Sequence, residues 1–128
     1  MLNRNQIVEI LNEYNLDKTK YIVISGAAMV LLGIKEKTRD IDISVTKDYY
    51  DDLLKNNNCV FEKINKHNNK VYFIDDVINF GIDYYSTDYL LADDIRIQKP
   101  EDIKNLKQML SREKDKQDIK LIDKFLNK

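Results

Sequence analysis

The chain has 128 residues, 43% of them apolar and 34% charged, with a formal net charge of −1. That suits one folded domain with a real core, is too short for two, and is far from a disordered composition. It also excludes a general electrostatic pull toward nucleic acid or anionic membrane.

No apolar run approaches the roughly 20 residues that span a bilayer, so no membrane partner is expected. The opening "MLNRNQIVEILNEYN" has no h-region and no small-residue cleavage site, and a cytoplasmic protein is expected. The single cysteine, Cys59, leaves no internal disulfide and reads as a buried, inert thiol.

From the N-terminus, Ile7, Ile10, Leu11 and Tyr14 recur at helical spacing and predict an amphipathic helix over 3–15. "KYIVIS" reads as a short buried strand ending at Ser25. "GAAMVLLG" reads as a helix capped by Ser25 and closed by Gly33. "RDIDISV" alternates with period two and predicts a second strand.

Thr46 is placed to cap a helix through "KDYYDDLLKNN". "CVFEKI" and "KVYFID" flank the polar tip "NKHNN" and predict a hairpin, with His67 as a surface turn residue. "INFGIDYYS" is a further strand, and Pro100 with the acids after it opens a helix through "QKPEDIKNLKQML". Ser111 divides this from a last helix through "DIKLIDKFL". Helices alternating with strands, a run of strands, then two helices predict an α/β (α+β) chain, a mixed sheet flanked by helices.

In a strand, residues i and i+2 share a face, so Asp40 and Asp42 project together while Ile41 and Ile43 face the other way. At about 5 Å and an effective dielectric near 20, two such charges repel by roughly 3 kcal/mol. A divalent cation is the economical counter-charge, and Mg²⁺ favours one or two carboxylates plus substrate phosphates. With 22 acids in the chain, roughly four acid-x-acid pairs arise by chance, so the pair alone is unspecific.

Its setting is more specific. Ser25-Gly26-Ala27 opens the preceding helix, where free N–H groups and the dipole favour an anion. A third carboxylate, Asp83, lies between apolar residues in "NFGIDYY". Three acids beside a phosphate-binding turn suit two-metal phosphoryl or nucleotidyl transfer.

The segment "SGAAMVLLG…TRDIDISV" resembles the signature of the nucleotidyltransferase superfamily with the DNA polymerase β-like fold. "KPEDIKNLKQMLSREKDKQDI" is similar to the closing segment of its minimal, AbiEii-toxin-like single-domain members. The resemblance covers roughly residues 20–122 in order. It implies one polymerase β-like domain over 1–128 with C-terminal helices. Asp40, Asp42 and Asp83 would hold two Mg²⁺ ions, with Asp83 as base for the attacking hydroxyl. Ser25, Gly26 and Ala27 would bind the triphosphate, and Lys107, Arg112 and Lys114 would reach the phosphates or the acceptor.

The implied activity moves an NMP from a nucleoside triphosphate such as ATP to an acceptor hydroxyl, in a toxin–antitoxin or resistance setting. A small molecule, a protein side chain or a tRNA end is the implied acceptor. A second subunit or a partner protein would complete the cleft. Ala27 stands where the family usually has Ser or Gly. The alternative is therefore a catalytically degenerate member acting as a binding or interaction module.

Other residues read more plainly. The tyrosine pairs Tyr49-Tyr50 and Tyr84-Tyr85 sit in core-like patterns. Lys114 and Asp118 stand at i,i+4, the spacing of a solvated helical ion pair. Lys35 and Lys37 flank the aspartate strand, where they either steer a polyanion or are ordinary loop charges.

Overall fold

The computed structural model describes residues 1–83 and 88–127. In chain order the elements are α1 (Arg4–Glu13), β1 (Tyr21–Ile24), α2 (Ser25–Leu31), β2 (Ile41–Val45), α3 (Lys47–Asn56), β3 (Cys59–Ile64), β4 (Lys70–Ile74), β5 (Ile78–Gly81), β6 (Leu90–Ala92), β7 (Ile95–Ile97), α4 (Pro100–Leu110) and α5 (Glu113–Leu126). The expected order of elements is found: a mixed α/β chain whose strands form one sheet.

The strand order is β3-β4-β5-β2-β1-β7-β6. β2 lies at the centre, antiparallel to β1 and parallel to β5, while β7 joins β1 in parallel. The remaining neighbours are antiparallel hairpin pairs. Alternation in β2 decides which face is buried. Ile41, Ile43 and Val45 pack into one core with Val23, Ile78 and Phe80 of the flanking strands. Each helix adds to that core: Ile7 and Leu11 from α1, Met29 from α2, Leu53 from α3, Ile103 from α4 and Ile122 from α5.

Local chemistry sets most boundaries. Asn3 and Gln6 form a reciprocal capping box at α1. Thr46 Oγ1 accepts the Tyr49 N–H at the start of α3, and Pro100 occupies the first turn of α4. Gly33, at φ +78°, follows α2, and the Gly33 and Ile34 N–H groups return to Val30 and Met29 carbonyls. That is a Schellman closure, in the position expected for Gly33.

Ser25 departs from its expected role. It is the first residue of α2 rather than its cap, Ile24 holds the cap position, and no side chain caps the helix. Ser25 is held at φ +58°, a left-handed conformation that favours glycine, and its N–H donates to Gln98 Oε1 at 3.0 Å.

Two boundaries also differ. The strand expected through Asp83 ends at Gly81, and the positions expected beyond Asp83, with the Tyr84-Tyr85 pair, lie outside the described residues. The last helix begins at Glu113, because the Asp115 carboxylate accepts the Arg112 N–H just after Ser111 ends α4 at φ +52°. The β6–β7 hairpin was not expected. Its strands have three residues each, and its turn is Asp93-Asp94, both at positive φ, without the Asn-Gly or Asp-Gly that marks such turns.

Of the tyrosines, Tyr50 packs edge-on against Phe80 at 5.7 Å, and Tyr49 Oη accepts the Asp17 N–H. Cys59 is half-buried, and burial pushes its thiol up, which suits the inert role.

Ser25→Gly relieves the left-handed strain, and urea denaturation should show a gain of about 1 kcal/mol. A loss would mean that the serine hydroxyl contributes more than its backbone conformation costs.

Candidate active site

The sheet face opposite the β2 isoleucines carries the polar side chains. Asp42 is paired in register with Ile24 of β1 and Asn79 of β5, so it stands in the middle of that face. A cleft of about 700 Å³ opens over it. Asp40, Asp42, Asp83, Ser25, Gly26, Lys107, Arg112 and Lys114 all line this cleft. Ala27 does not: it is buried in the core under α2. A second hollow, of about 920 Å³, lies against α1 and holds the Arg4–Asp93 ion pair, but none of the candidate residues.

The acids reach the cleft from three kinds of position. Asp42 is within β2, Asp40 directly precedes the strand rather than lying in it, and Asp83 is two residues past the end of β5. Burial first, and the Asp40 charge second, push the Asp42 carboxyl up to about 7, with Glu62 adding to the effect and Lys63 and Lys107 opposing it. Glu62 comes from a bulge in β3, and its carboxylate accepts the Asn79 side-chain amide. Sequence reasoning missed both. The signal for Asn79 was the period-two register of "INFGID", which puts Asn79 on the face of Asp83 and away from Phe80.

The turn before α2 offers less to an anion than its sequence promised. The Ser25 N–H is taken by Gln98, and α2 is only seven residues long. Gly26 is needed for a close approach, since a Cβ there would lie 2.8 Å from Thr38 Oγ1. Thr38 is itself held by paired backbone bonds to Leu2. Positive charge along the cleft is instead carried by Lys35, Arg39, Lys63, Lys66, Arg112 and Lys114.

Lys107 stands differently. It is buried between Asp118, at 3.0 Å, and Asp115, at 3.6 Å. Arg112 grips the same Asp115 through Nε at 2.7 Å and Nη2 at 3.1 Å, which holds that carboxyl below the usual range. Lys35 reaches Asp118 at 3.3 Å. The expected Lys114–Asp118 pair is therefore replaced by Lys107–Asp118 and Lys35–Asp118, because Asp118 faces α4 and the loop after α2. Lys114 is left exposed at the cleft rim.

Asp83 is fixed from outside its own strand. The Ser44 hydroxyl, fully buried on β2, accepts the Asp83 N–H at 3.1 Å and donates to its carbonyl at 2.9 Å. The amides of Asn65 and Asn69 both donate to the neighbouring Ile82 carbonyl. His67 Nε2 stands 3.0 Å from Asp83 Oδ1. The hairpin tip is thus not a bare surface turn: the Asn65 side chain accepts the His67 and Asn69 N–H groups and folds the tip over the end of β5. Ser44 was legible as the next member of the Asp40-x-Asp42-x-Ser44 alternation. His67 was not, since nothing local signals a contact 16 residues away.

The donor set suits a divalent cation in part. Asp42 is crowded by protein and by a like charge, and Asp83 Oδ1 is buried without an aligned hydrogen bond. Among the described residues, no three His, Cys, Asp or Glu side chains stand together as a ready metal cage. Asp40 and Asp42 with substrate phosphates match the one or two carboxylates that Mg²⁺ takes from a protein. No helix among the described residues is long and apolar enough to cross a membrane. The chain matches no protein-family model, no curated protein and no solved structure.

Two outcomes follow for the metal-free protein. An unfolded Asp42 ionises near 3.8 and the folded one near 7, so across that window the folded state keeps a proton that the unfolded state has lost. Stability from this group therefore falls as pH rises from about 4 to 7, by as much as about 4 kcal/mol. Asp42→Asn removes the penalty and should stabilise the protein at pH 8 but much less at pH 4.5; equal effects at both pH values in urea denaturation would contradict this. Lys107→Ala removes the ammonium shared by two buried carboxylates, leaving Asp115 to Arg112 and Asp118 to Lys35, and should cost about 3 kcal/mol in the same assay.

Proposed function

We propose that this chain is a metal-dependent nucleotidyltransferase of the polymerase β-like kind, moving an NMP from a nucleoside triphosphate to an acceptor hydroxyl. The observation that carries the reading is the cleft itself. Asp42 of the central strand, Asp40 just before it and Asp83 from beyond the end of its neighbour line one cleft with Arg112, Lys114 and Lys35.

In this reading Asp40, Asp42 and Asp83 would hold divalent cations, which would supply positive charge where the phosphoryl group is transferred. The residues of the chain do the rest. Arg112, Lys114 and Lys35 draw the polyphosphate against the α4–α5 side of the cleft. Asp83 takes the proton of the acceptor hydroxyl. The acceptor oxygen bonds to the α-phosphorus as the bond to pyrophosphate breaks, and the protein's part is position and field. The acceptor, whether small molecule, protein or tRNA end, binds beside Asp83. A partner protein or second copy closes the open cleft, as in a toxin–antitoxin pair.

The test is incubation with each labelled NTP, Mg²⁺ and a cell extract, alongside thermal shift with Mg²⁺ and NTP, which registers binding by mass action. Label should pass to an acceptor. Asp40→Asn, which leaves the core untouched, should cut transfer by more than about 100-fold while the protein stays folded. Full transfer by that variant would refute the site.

The second reading is a silent binding or interaction module. It is favoured by Ala27, whose buried methyl leaves no hydroxyl at that position of the turn. Absence of any thermal response to Mg²⁺ with all four NTPs decides for it.

A further inference from the structure

We propose that Ser44 and His67 are positioning residues for Asp83, Ser44 for its backbone and His67 for its carboxylate. The inference rests on the nucleotidyltransferase reading of the cleft.

The ladder between β2 and β5 ends at the Ser44–Gly81 pair, so among the described residues no sheet hydrogen bond fixes the chain at Asp83. What fixes it comes from two other places. The Ser44 hydroxyl takes both backbone groups of Asp83, acting as one more rung of the ladder from a side chain. The hairpin tip between β3 and β4 ties down Ile82 through Asn65 and Asn69, and so brings the His67 ring to Asp83 Oδ1 at 3.0 Å. That oxygen is buried and accepts no aligned hydrogen bond, so the imidazole is its near polar neighbour among the described residues. The arrangement satisfies the buried Ser44 hydroxyl, while residues 82 and 83 themselves lie past the last buried strand position. Its effect is to hold one carboxylate in one place at the cleft edge. Supporting contacts of this kind around a metal-binding carboxylate are typically worth 10–100-fold in metal affinity.

The experiment compares wild type with His67→Leu, His67→Gln and Ser44→Ala. Four quantities are read: the melting temperature without metal, the Mg²⁺ concentration giving half-maximal thermal shift with saturating NTP, and kcat and KM for NMP transfer. His67 lies on an exposed tip, so its variants should melt like wild type without metal. His67→Leu should raise the half-maximal Mg²⁺ concentration about ten-fold and lower kcat at unchanged KM for NTP. His67→Gln, which restores a nitrogen donor at the Nε2 position, should recover most of both. Ser44→Ala should show the same Mg²⁺ shift, with a lower melting temperature because its site is buried.

An unchanged Mg²⁺ midpoint in His67→Leu, with wild type responding normally, overturns the inference and leaves the nucleotidyltransferase reading standing. A lower midpoint also overturns it, and makes His67 an obstruction at Asp83. No Mg²⁺ response in wild type itself rejects the nucleotidyltransferase reading, and the positioning role with it.

Discussion

The two-faced alternation of β2, set at the centre of the sheet, is the constraint on which the other features depend. Because both neighbours pair with it, its register is fixed from two sides: Ile43 lies beside Val23 and Phe80, and Asp42 beside Ile24 and Asn79. A slip of one residue would turn the isoleucines to the cleft and the aspartate into the core, so the apolar face enforces the position of the polar one. The same centrality makes Asp42 costly. An edge strand would let water reach a carboxylate, whereas here protein on both sides raises its proton affinity.

The cleft's opposite wall solves a different electrostatic problem. Asp115 is fully buried and Asp118 nearly so, and both are answered by Lys107 from α4, with Arg112 and Lys35 at the margins. Such clusters add little net stability over apolar packing but penalise any arrangement that separates their members. Their consequence here is geometric. They lock α5 against α4 and hold the loop after α2 to α5, which keeps the guanidinium of Arg112 on the cleft wall. Acids strained together on the floor and cations braced on the wall give the cleft a polarity that the net charge of −1 conceals.

Much of this was legible because it is written in local patterns. The period-two run of β2, the Thr46 cap, Pro100 and Gly33 each act within a few residues, and each element they mark is present. The cleft residues were legible for the same reason, as spaced motifs on predicted elements. What escaped depends on distant contacts. Ser25 is no cap because its conformation is set by the turn and by Gln98 from the far end of β7. Asp118 ignores Lys114 because Lys107, one helix away, is closer to where it points. The hairpin tip looked like solvent-exposed polar sequence, and only folding the chain over β5 shows that its asparagines are spoken for. The β6–β7 hairpin escaped because strands of three residues carry almost no period.

The energetics of position 42 bear on which functional reading to prefer. A residue whose only task is to sit on the floor of a sheet, beside Asn79 and facing a cleft, is best served by asparagine or threonine. Either keeps polar contact with water and carries no charge next to Asp40. An aspartate there opposes folding at neutral pH unless something positive offsets it, and Lys63 and Lys107 do so only in part. Local conflicts of this kind, where one residue works against an otherwise consistent fold, concentrate at functional sites. A silent module would leave the repulsion between Asp40 and Asp42, the buried oxygen of Asp83 and the polar supports around it as unrelated defects. A cation-binding, phosphate-transferring cleft accounts for them with one cause.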